Sequence, residues 1–99
     1  MTIALSFDQR FLPLYNAGNI NTPAFVYDEA AITAKLELLS AARRISGCRM
    51  LYSVKASSFS ALLHRINRYV DGFSVSSLFE ARLANEILGR REGIHLVSP

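Results

Sequence analysis

Apolar residues recur along the chain with two different spacings from residue 23 onward. Four short runs are rich in apolar, β-branched and aromatic residues, as is typical of strands covered on both faces. These predicted strands are residues 24–27, 50–54, 73–76 and 94–97. Between the strands, apolar residues return every three or four positions, and this pattern predicts three helices with one buried face each.

Polar residues and glycines mark the ends of the predicted helices. Asp28 stands at the N-cap of the first helix, and Ser77 with Glu80 three residues later forms a capping box for the third. Gly47 and Gly89 follow the first and third helices, as is common after a helix C-terminus. The predicted buried positions are Ile32, Leu36, Leu39 and Ile45 in the first helix, Leu62, Leu63, Ile66 and Tyr69 in the second, and Phe79, Leu83 and Ile87 in the third.

The resulting order is β-α-β-α-β-α-β with short connections, which predicts an α/β fold with parallel strands and right-handed crossovers. Two architectures fit this order: an open doubly wound sheet, or the opening units of a (β/α)8 barrel. A barrel needs about 250 residues, so the 99-residue chain would hold only the N-terminal part of one. Residues 1–22, which contain Pro13, Gly18 and several asparagines, are expected to be irregular, and residues 23–99 to form the α/β part.

Charge and cysteine content narrow the classes of function. The net charge is +3, but acids and bases are interspersed and no basic stripe is interleaved with aromatics, so nucleic-acid binding is not expected. The chain has no signal peptide and no apolar run of about 20 residues, which predicts a cytoplasmic protein without a membrane partner. Cys48 is the only cysteine, which excludes an internal disulfide framework or a Cys-based zinc site, and it is expected to be a buried thiol.

Lys55 is the residue most suited to covalent chemistry. It directly follows a predicted buried strand, at the edge where parallel α/β folds place their sites. The chain has two lysines against nine arginines, and a lysine amine can form a Schiff base with an aldehyde, whereas an arginine stays protonated. The alternative is a solvated lysine at the start of a loop.

Other polar residues are weaker candidates. Ser74, Ser76 and Ser77 lie at the end of the next strand and could donate hydrogen bonds to a phosphate or a ring substituent, although helix capping is the simpler role for Ser77. His95 is expected to be a hydrogen-bonded core or barrel-lining histidine, and His64 to be solvated. Neither histidine has the spaced partners of a metal site, so no metal is predicted.

Three segments together resemble the N-terminal part of the pyridoxal-phosphate (PLP) decarboxylases with an alanine-racemase-like barrel, the fold-type III group. The segments are Thr-Pro-Ala-Phe-Val-Tyr-Asp at 22–28, Leu-Tyr-Ser-Val-Lys-Ala at 51–56 and Asp-Gly-Phe-Ser-Val-Ser-Ser-Leu-Phe-Glu-Ala-Arg-Leu at 71–83. The resemblance covers about residues 22–99, with the segments in the family's order and spacing. It implies that 23–99 form the first part of a PLP-binding (β/α)8 barrel that is incomplete in this chain.

The resemblance also implies roles for particular residues. Lys55 takes the place of the lysine that holds PLP as a Schiff base, and Ser77 and Glu80 take the family's Ser and Glu places. Ser74 stands where ornithine and diaminopimelate decarboxylases usually have an aspartate. Carboxynorspermidine/carboxyspermidine decarboxylases commonly lack that aspartate, so the chain resembles this branch of polyamine biosynthesis most. Lys55, Ser74 and Ser77 are therefore the predicted PLP-binding residues, with Lys55 as the catalytic one.

Several expectations follow from the resemblance. The partner would be a small-molecule amino-acid substrate, and family members are usually homodimers. The phosphate-binding loop, the ring-stacking histidine and the substrate-binding acid would lie beyond residue 99, so the isolated chain is not expected to catalyse decarboxylation. The alternatives are a diaminopimelate- or ornithine-type decarboxylase, an inactive PLP-binding relative that acts as a regulator, and a free-standing flavodoxin-like binding domain without PLP.

Overall fold

The computed structural model describes residues 5–89 and 93–97. The chain divides into two compact units, Met1–Thr33 and Ala34–Pro99. The helices are α1 (Phe7–Asn16), α2 (Glu29–Ser46), α3 (Ser60–Ile66) and α4 (Leu78–Leu88), and the strands are β1 (Leu51–Ser53), β2 (Gly72–Val75) and β3 (Ile94–Leu96). A 3-10 turn, Val54–Ala56, follows β1 directly.

Helix α1 corrects the prediction that residues 1–22 are irregular. The Ser6 hydroxyl accepts from the Gln9 N–H at 3.2 Å, and the Gln9 side chain accepts from the Ser6 N–H at 2.8 Å. This reciprocal capping box satisfies two N–H groups that the helix itself leaves unpaired. Pro13 lies inside the helix rather than breaking it, because the cap and a stack of aromatic rings stabilise the turns around it. The stacked pairs are Phe7 with Phe11 at 5.5 Å and Phe11 with Tyr15 at 6.0 Å between ring centroids.

The strand predicted at 24–27 is also wrong. This segment has no strand assignment, and Phe25 within it is 94% exposed. Its aromatic and β-branched residues favour extended backbone, but a strand needs a hydrogen-bonded neighbour, which composition alone does not supply. The Asp28 N-cap that follows is confirmed, since its carboxylate accepts from the Ala31 N–H at 3.1 Å.

The second unit contains a parallel sheet in the order β1-β2-β3. Leu51, Tyr52 and Ser53 pair with Gly72, Phe73 and Ser74, and Phe73, Ser74 and Val75 pair with Ile94, His95 and Leu96. The described residues thus form a mixed α/β fold of four helices and a three-stranded parallel sheet, which confirms the predicted class at that level.

The core of the second unit lies between β2 and the helices that pack on it. The buried apolar side chains are Leu36, Val54, Leu63, Ile66, Phe73, Val75, Ala84 and Ile87. Of the buried positions predicted in α4, Ile87 is confirmed but Phe79 is wrong, since it is 70% exposed. The buried face of α4 runs through Ala84 and Ile87. The small Ala84 side chain, fully buried, lets the helix approach the strands closely.

No helix in the described ranges is both long enough and apolar enough to cross a membrane.

Candidate functional site

Lys55 lies at the carboxyl edge of the sheet. Strand β1 ends at Ser53, and Lys55 is the central residue of the 3-10 turn that follows. Val54 is completely buried, whereas Lys55 and Ala56 are exposed. The turn therefore has one side chain anchored in the core and presents the Lys55 amine to the surroundings.

The turn that carries Lys55 contacts β2 and α4. Parallel strands end at the same edge of a sheet, so the carboxyl end of β2 and the first turn of α4 lie on the side of the sheet to which Lys55 belongs. Ser74, Ser76 and Ser77 all belong to this stretch of chain. The fold thus brings the predicted site residues to one edge.

Ser77 caps helix α4. Its hydroxyl accepts from the Glu80 N–H at 3.1 Å and donates to Glu80 Oε2 at 3.0 Å. The predicted N-cap is confirmed, and both hydrogen bonds of the hydroxyl are local. Ser74 is half-buried in β2 and pairs in register with Ser53 and His95, so the three side chains point to one face of the sheet.

Glu80, predicted as a capping residue and placed by the resemblance at the family's Glu position, has a further feature in the structure. Its second carboxylate oxygen, Oε1, is buried and has no hydrogen-bond partner among the described residues. A buried acceptor without a donor is rare in folded proteins, because desolvation is then not compensated. This oxygen provides an acceptor for a donor group near the carboxyl edge. Neither its place in the first turn of α4 nor the family's Glu position reveals that this oxygen is buried.

The histidines and the cysteine lie on the surface. His64 is exposed on α3, as expected, and His95 is exposed on β3, so of the two roles predicted for His95 the core one is wrong. Cys48 is also exposed rather than buried, because it follows the glycine that ends α2. In the described part of the chain, no three His, Cys, Asp or Glu side chains lie close enough together to hold a metal ion.

Asp71 organises the opposite, amino edge of the sheet. One carboxylate oxygen accepts from the Met50 N–H at 2.7 Å, and the other from Arg43 Nη1 at 2.7 Å. The Met50 hydrogen bond, followed by the Arg43 guanidinium, lowers the pKa of Asp71 below its ordinary value. These contacts tie the last turn of α2 to the starts of β1 and β2.

The first unit contains an open cavity of about 490 Å³. Its apolar wall includes Phe7, Phe11 and Val26, and its polar wall is the ion pair of Arg10 with Asp28. Hydrogen bonding from Arg10, the largest effect, and from the Ala31 N–H lowers the pKa of Asp28. Because the two charges neutralise each other, this cavity offers a ligand mainly apolar surface.

The known proteins similar to this chain include two decarboxylases of the same name. Over 80 residues, 81% of this chain, it is 32% identical to a carboxynorspermidine/carboxyspermidine decarboxylase of Campylobacter jejuni, of which the match covers 20%. Over 70 residues, 71% of this chain, it is 29% identical to the protein of the same name in Herminiimonas arsenicoxydans, of which the match covers 19%. The chain thus spans about a fifth of the length of the curated relatives it matches. No protein-family model and no solved structure matches it significantly.

Proposed function

We propose that the chain provides the lysine-bearing part of a PLP-dependent decarboxylase that acts on carboxynorspermidine or carboxyspermidine. The observation that carries the proposal is the placement of Lys55, whose exposed amine follows a parallel strand at the carboxyl edge of the sheet. The names of the two similar proteins support the substrate class. They favour this branch over ornithine- or diaminopimelate-type decarboxylases.

The residues at this edge fit PLP. The cofactor needs a primary amine to which it can be bound, and Lys55 presents one from a turn whose neighbouring residue is buried. It also needs polar partners, and the buried, unpartnered Glu80 Oε1 is an acceptor that remains to be satisfied. Ser74 and Ser77 supply hydroxyl groups on β2 and at the start of α4.

Each residue then has a definite task. Lys55 would hold PLP through its side-chain amine. The Ser74 hydroxyl would orient the bound group by a hydrogen bond, while the Ser77 hydroxyl fixes the first turn of α4 through its two bonds to Glu80. The unpartnered Glu80 Oε1 would accept a hydrogen bond from a donor at this edge. When bound, PLP supplies the electron sink that makes loss of carbon dioxide from an amino acid possible.

The proposal extends to the architecture. Residues 23–99 would be the opening part of a (β/α)8 barrel, whose carboxyl edge holds the site. The enzyme would be a cytoplasmic homodimer that takes a small amino-acid substrate.

A chimera tests the decarboxylase assignment. The segment of the Campylobacter jejuni protein that aligns with this chain is replaced by the chain's own residues, and decarboxylation of carboxyspermidine is measured. We expect Lys55-dependent activity: Lys55→Arg should lower kcat by at least about 1,000-fold, since a nucleophile is lost. Lys35→Arg, which alters the other lysine, should leave the activity unchanged.

Three outcomes would contradict the assignment. The chimera fails to bind PLP, or it binds PLP without decarboxylating, or Lys55→Arg is as active as the parent. The second outcome would favour a PLP-binding regulator.

A further inference from the structure

The Tyr52 side chain forms a hydrogen bond across the turn that carries Lys55. The Tyr52 hydroxyl donates to the backbone carbonyl of Ser57 at 3.2 Å. Tyr52 lies three residues before Lys55, and Ser57 lies two residues after it. The hydrogen bond therefore spans the 3-10 turn and joins its two ends.

The Tyr52 ring is itself fixed in the sheet. It meets the Phe73 ring edge to face, with centroids 6.2 Å apart and planes at 88°, and the two residues are register partners across β1 and β2. Phe73 is completely buried. This edge-to-face contact with a buried ring is a favourable aromatic geometry, and it fixes the position of the Tyr52 ring that carries the hydroxyl.

The turn needs such support. A single 3-10 turn of three residues has weak internal hydrogen bonding, and Ser53 at its N-cap makes no side-chain cap. Val54 anchors the first residue of the turn in the core, but the residues after it, Lys55 and Ala56, are exposed. The Tyr52 bond to the Ser57 carbonyl ties the end of the turn, on the far side of Lys55, to strand β1.

We propose that Tyr52 is a positioning residue that clamps the turn between β1 and Ser57 and thereby fixes the direction in which Lys55 presents its amine. The proposal rests on the proposed PLP-holding role of Lys55. Tyr52 does not touch the reacting atoms; it acts through the backbone of the turn. Preorganisation of this kind raises the rate at which an amine meets its partner in a productive geometry.

The test compares Tyr52→Phe with the wild-type chain and with Tyr69→Phe, which removes a hydroxyl outside the turn. Each chain is treated with PLP and borohydride, and the labelling rates of Lys55 and Lys35 are followed by peptide mass. In Tyr52→Phe, we expect the Lys55 rate to fall about three- to tenfold, as loss of one hydrogen bond predicts, while the Lys35 rate stays constant. Tyr69→Phe should match the wild type.

Backbone relaxation separates positioning from general destabilisation and from failure of the proposed function. In ¹⁵N relaxation measurements, Tyr52→Phe should become more mobile at residues 54–57 only, with β2 and α4 unchanged. Unchanged mobility at 54–57 would overturn the clamp, whether or not wild-type Lys55 reacts with PLP. A Lys55 rate equal to that of the wild type in a folded Tyr52→Phe chain would overturn its effect on the amine. If wild-type Lys55 reacts no faster than Lys35, the PLP role fails, and the relaxation result alone decides the clamp.

Discussion

The backbone of β2 passes so close to Gly93 that residue 72 has no room for a side chain. A Cβ at Gly72 would lie 2.7 Å from Gly93 Cα, closer than real Cβ contacts. The Phe73 N–H donates to the Gly93 carbonyl at 2.6 Å, which holds the two segments together at this point. Glycine at 72 is thus a condition for pairing β2 with the segment that leads into β3.

Gly72→Ala is therefore expected to destabilise the chain by at least about 2 kcal/mol, because backbone atoms cannot move aside as a flexible side chain can. Gly89→Ala is the matched control. Gly89 has open space around it but a φ of +67°, so the substitution should cost only about 1 kcal/mol of left-handed strain. Urea unfolding of both variants measures the difference, and a Gly72→Ala chain no less stable than Gly89→Ala would refute the close approach.

The sequence predicts single residues well where their role is local. Asp28 and Ser77 cap helices because a hydroxyl or carboxylate three residues before an N–H can reach it without any tertiary contact. The burial of Glu80 Oε1 and the bond of Tyr52 to Ser57 depend on how separate segments pack, so no pattern in the sequence indicates them. The exposure of Cys48 and of His95 depends on the same packing, so the predictions of a buried thiol and of a core histidine are wrong.

At the scale of elements, Asp71 joins one helix to two strands. Because its folded pKa is lowered, ionised Asp71 stabilises the second unit at pH values above about 4, its unfolded pKa. That contribution disappears as the pH falls through the lowered folded pKa. Acid should therefore loosen the contacts of α2 with the starts of β1 and β2.

Asp71→Asn tests this junction. The amide keeps an acceptor for the Met50 N–H but loses the charge that faces Arg43. We expect a lower Tm than that of the wild type at pH 7 and a smaller difference between the two chains at pH 3. Glu86→Gln, an exposed carboxylate on α4, should change the Tm little at either pH. A gap between Asp71→Asn and the wild type that is equally large at both pH values would show that the carboxylate charge is not what stabilises the junction.

Helices were predictable where the apolar periodicity agreed with the capping residues and glycines at their ends. Helices α2 and α4 begin at a cap and end at glycines with positive φ, Gly47 and Gly89, and both ends were read correctly. The prediction of an irregular segment over residues 1–22 misses helix α1 because it treats Pro13 as a helix breaker, although the Ser6 capping box and the aromatic positions of this segment are visible in the sequence. The strand prediction for residues 24–27 fails because propensity does not reveal whether a partner strand lies beside the segment.

At the scale of the whole molecule, the two units differ in their secondary structure and in the interactions that stabilise them. The first joins α1 to the following segment by the Arg10–Asp28 ion pair and an aromatic stack. The second contains the sheet, its packed helices and all the proposed site residues. Since the relatives are about five times as long as the match, substrate, oligomer and barrel closure are properties proposed for the whole enzyme, whereas attachment of PLP to Lys55 is proposed for this chain itself.

The most direct test of that claim is reductive trapping on the wild-type chain. The chain is incubated with PLP at low concentration, reduced with borohydride and digested, and the pyridoxyl mass is located on its peptides. The chain contains only Lys35 and Lys55 as lysines, and both are exposed, so exposure alone would label them alike. We expect the label on Lys55 at a several-fold excess over Lys35, and an excess that vanishes when the chain is unfolded in urea. Equal labelling of the two lysines in the folded chain would contradict the account.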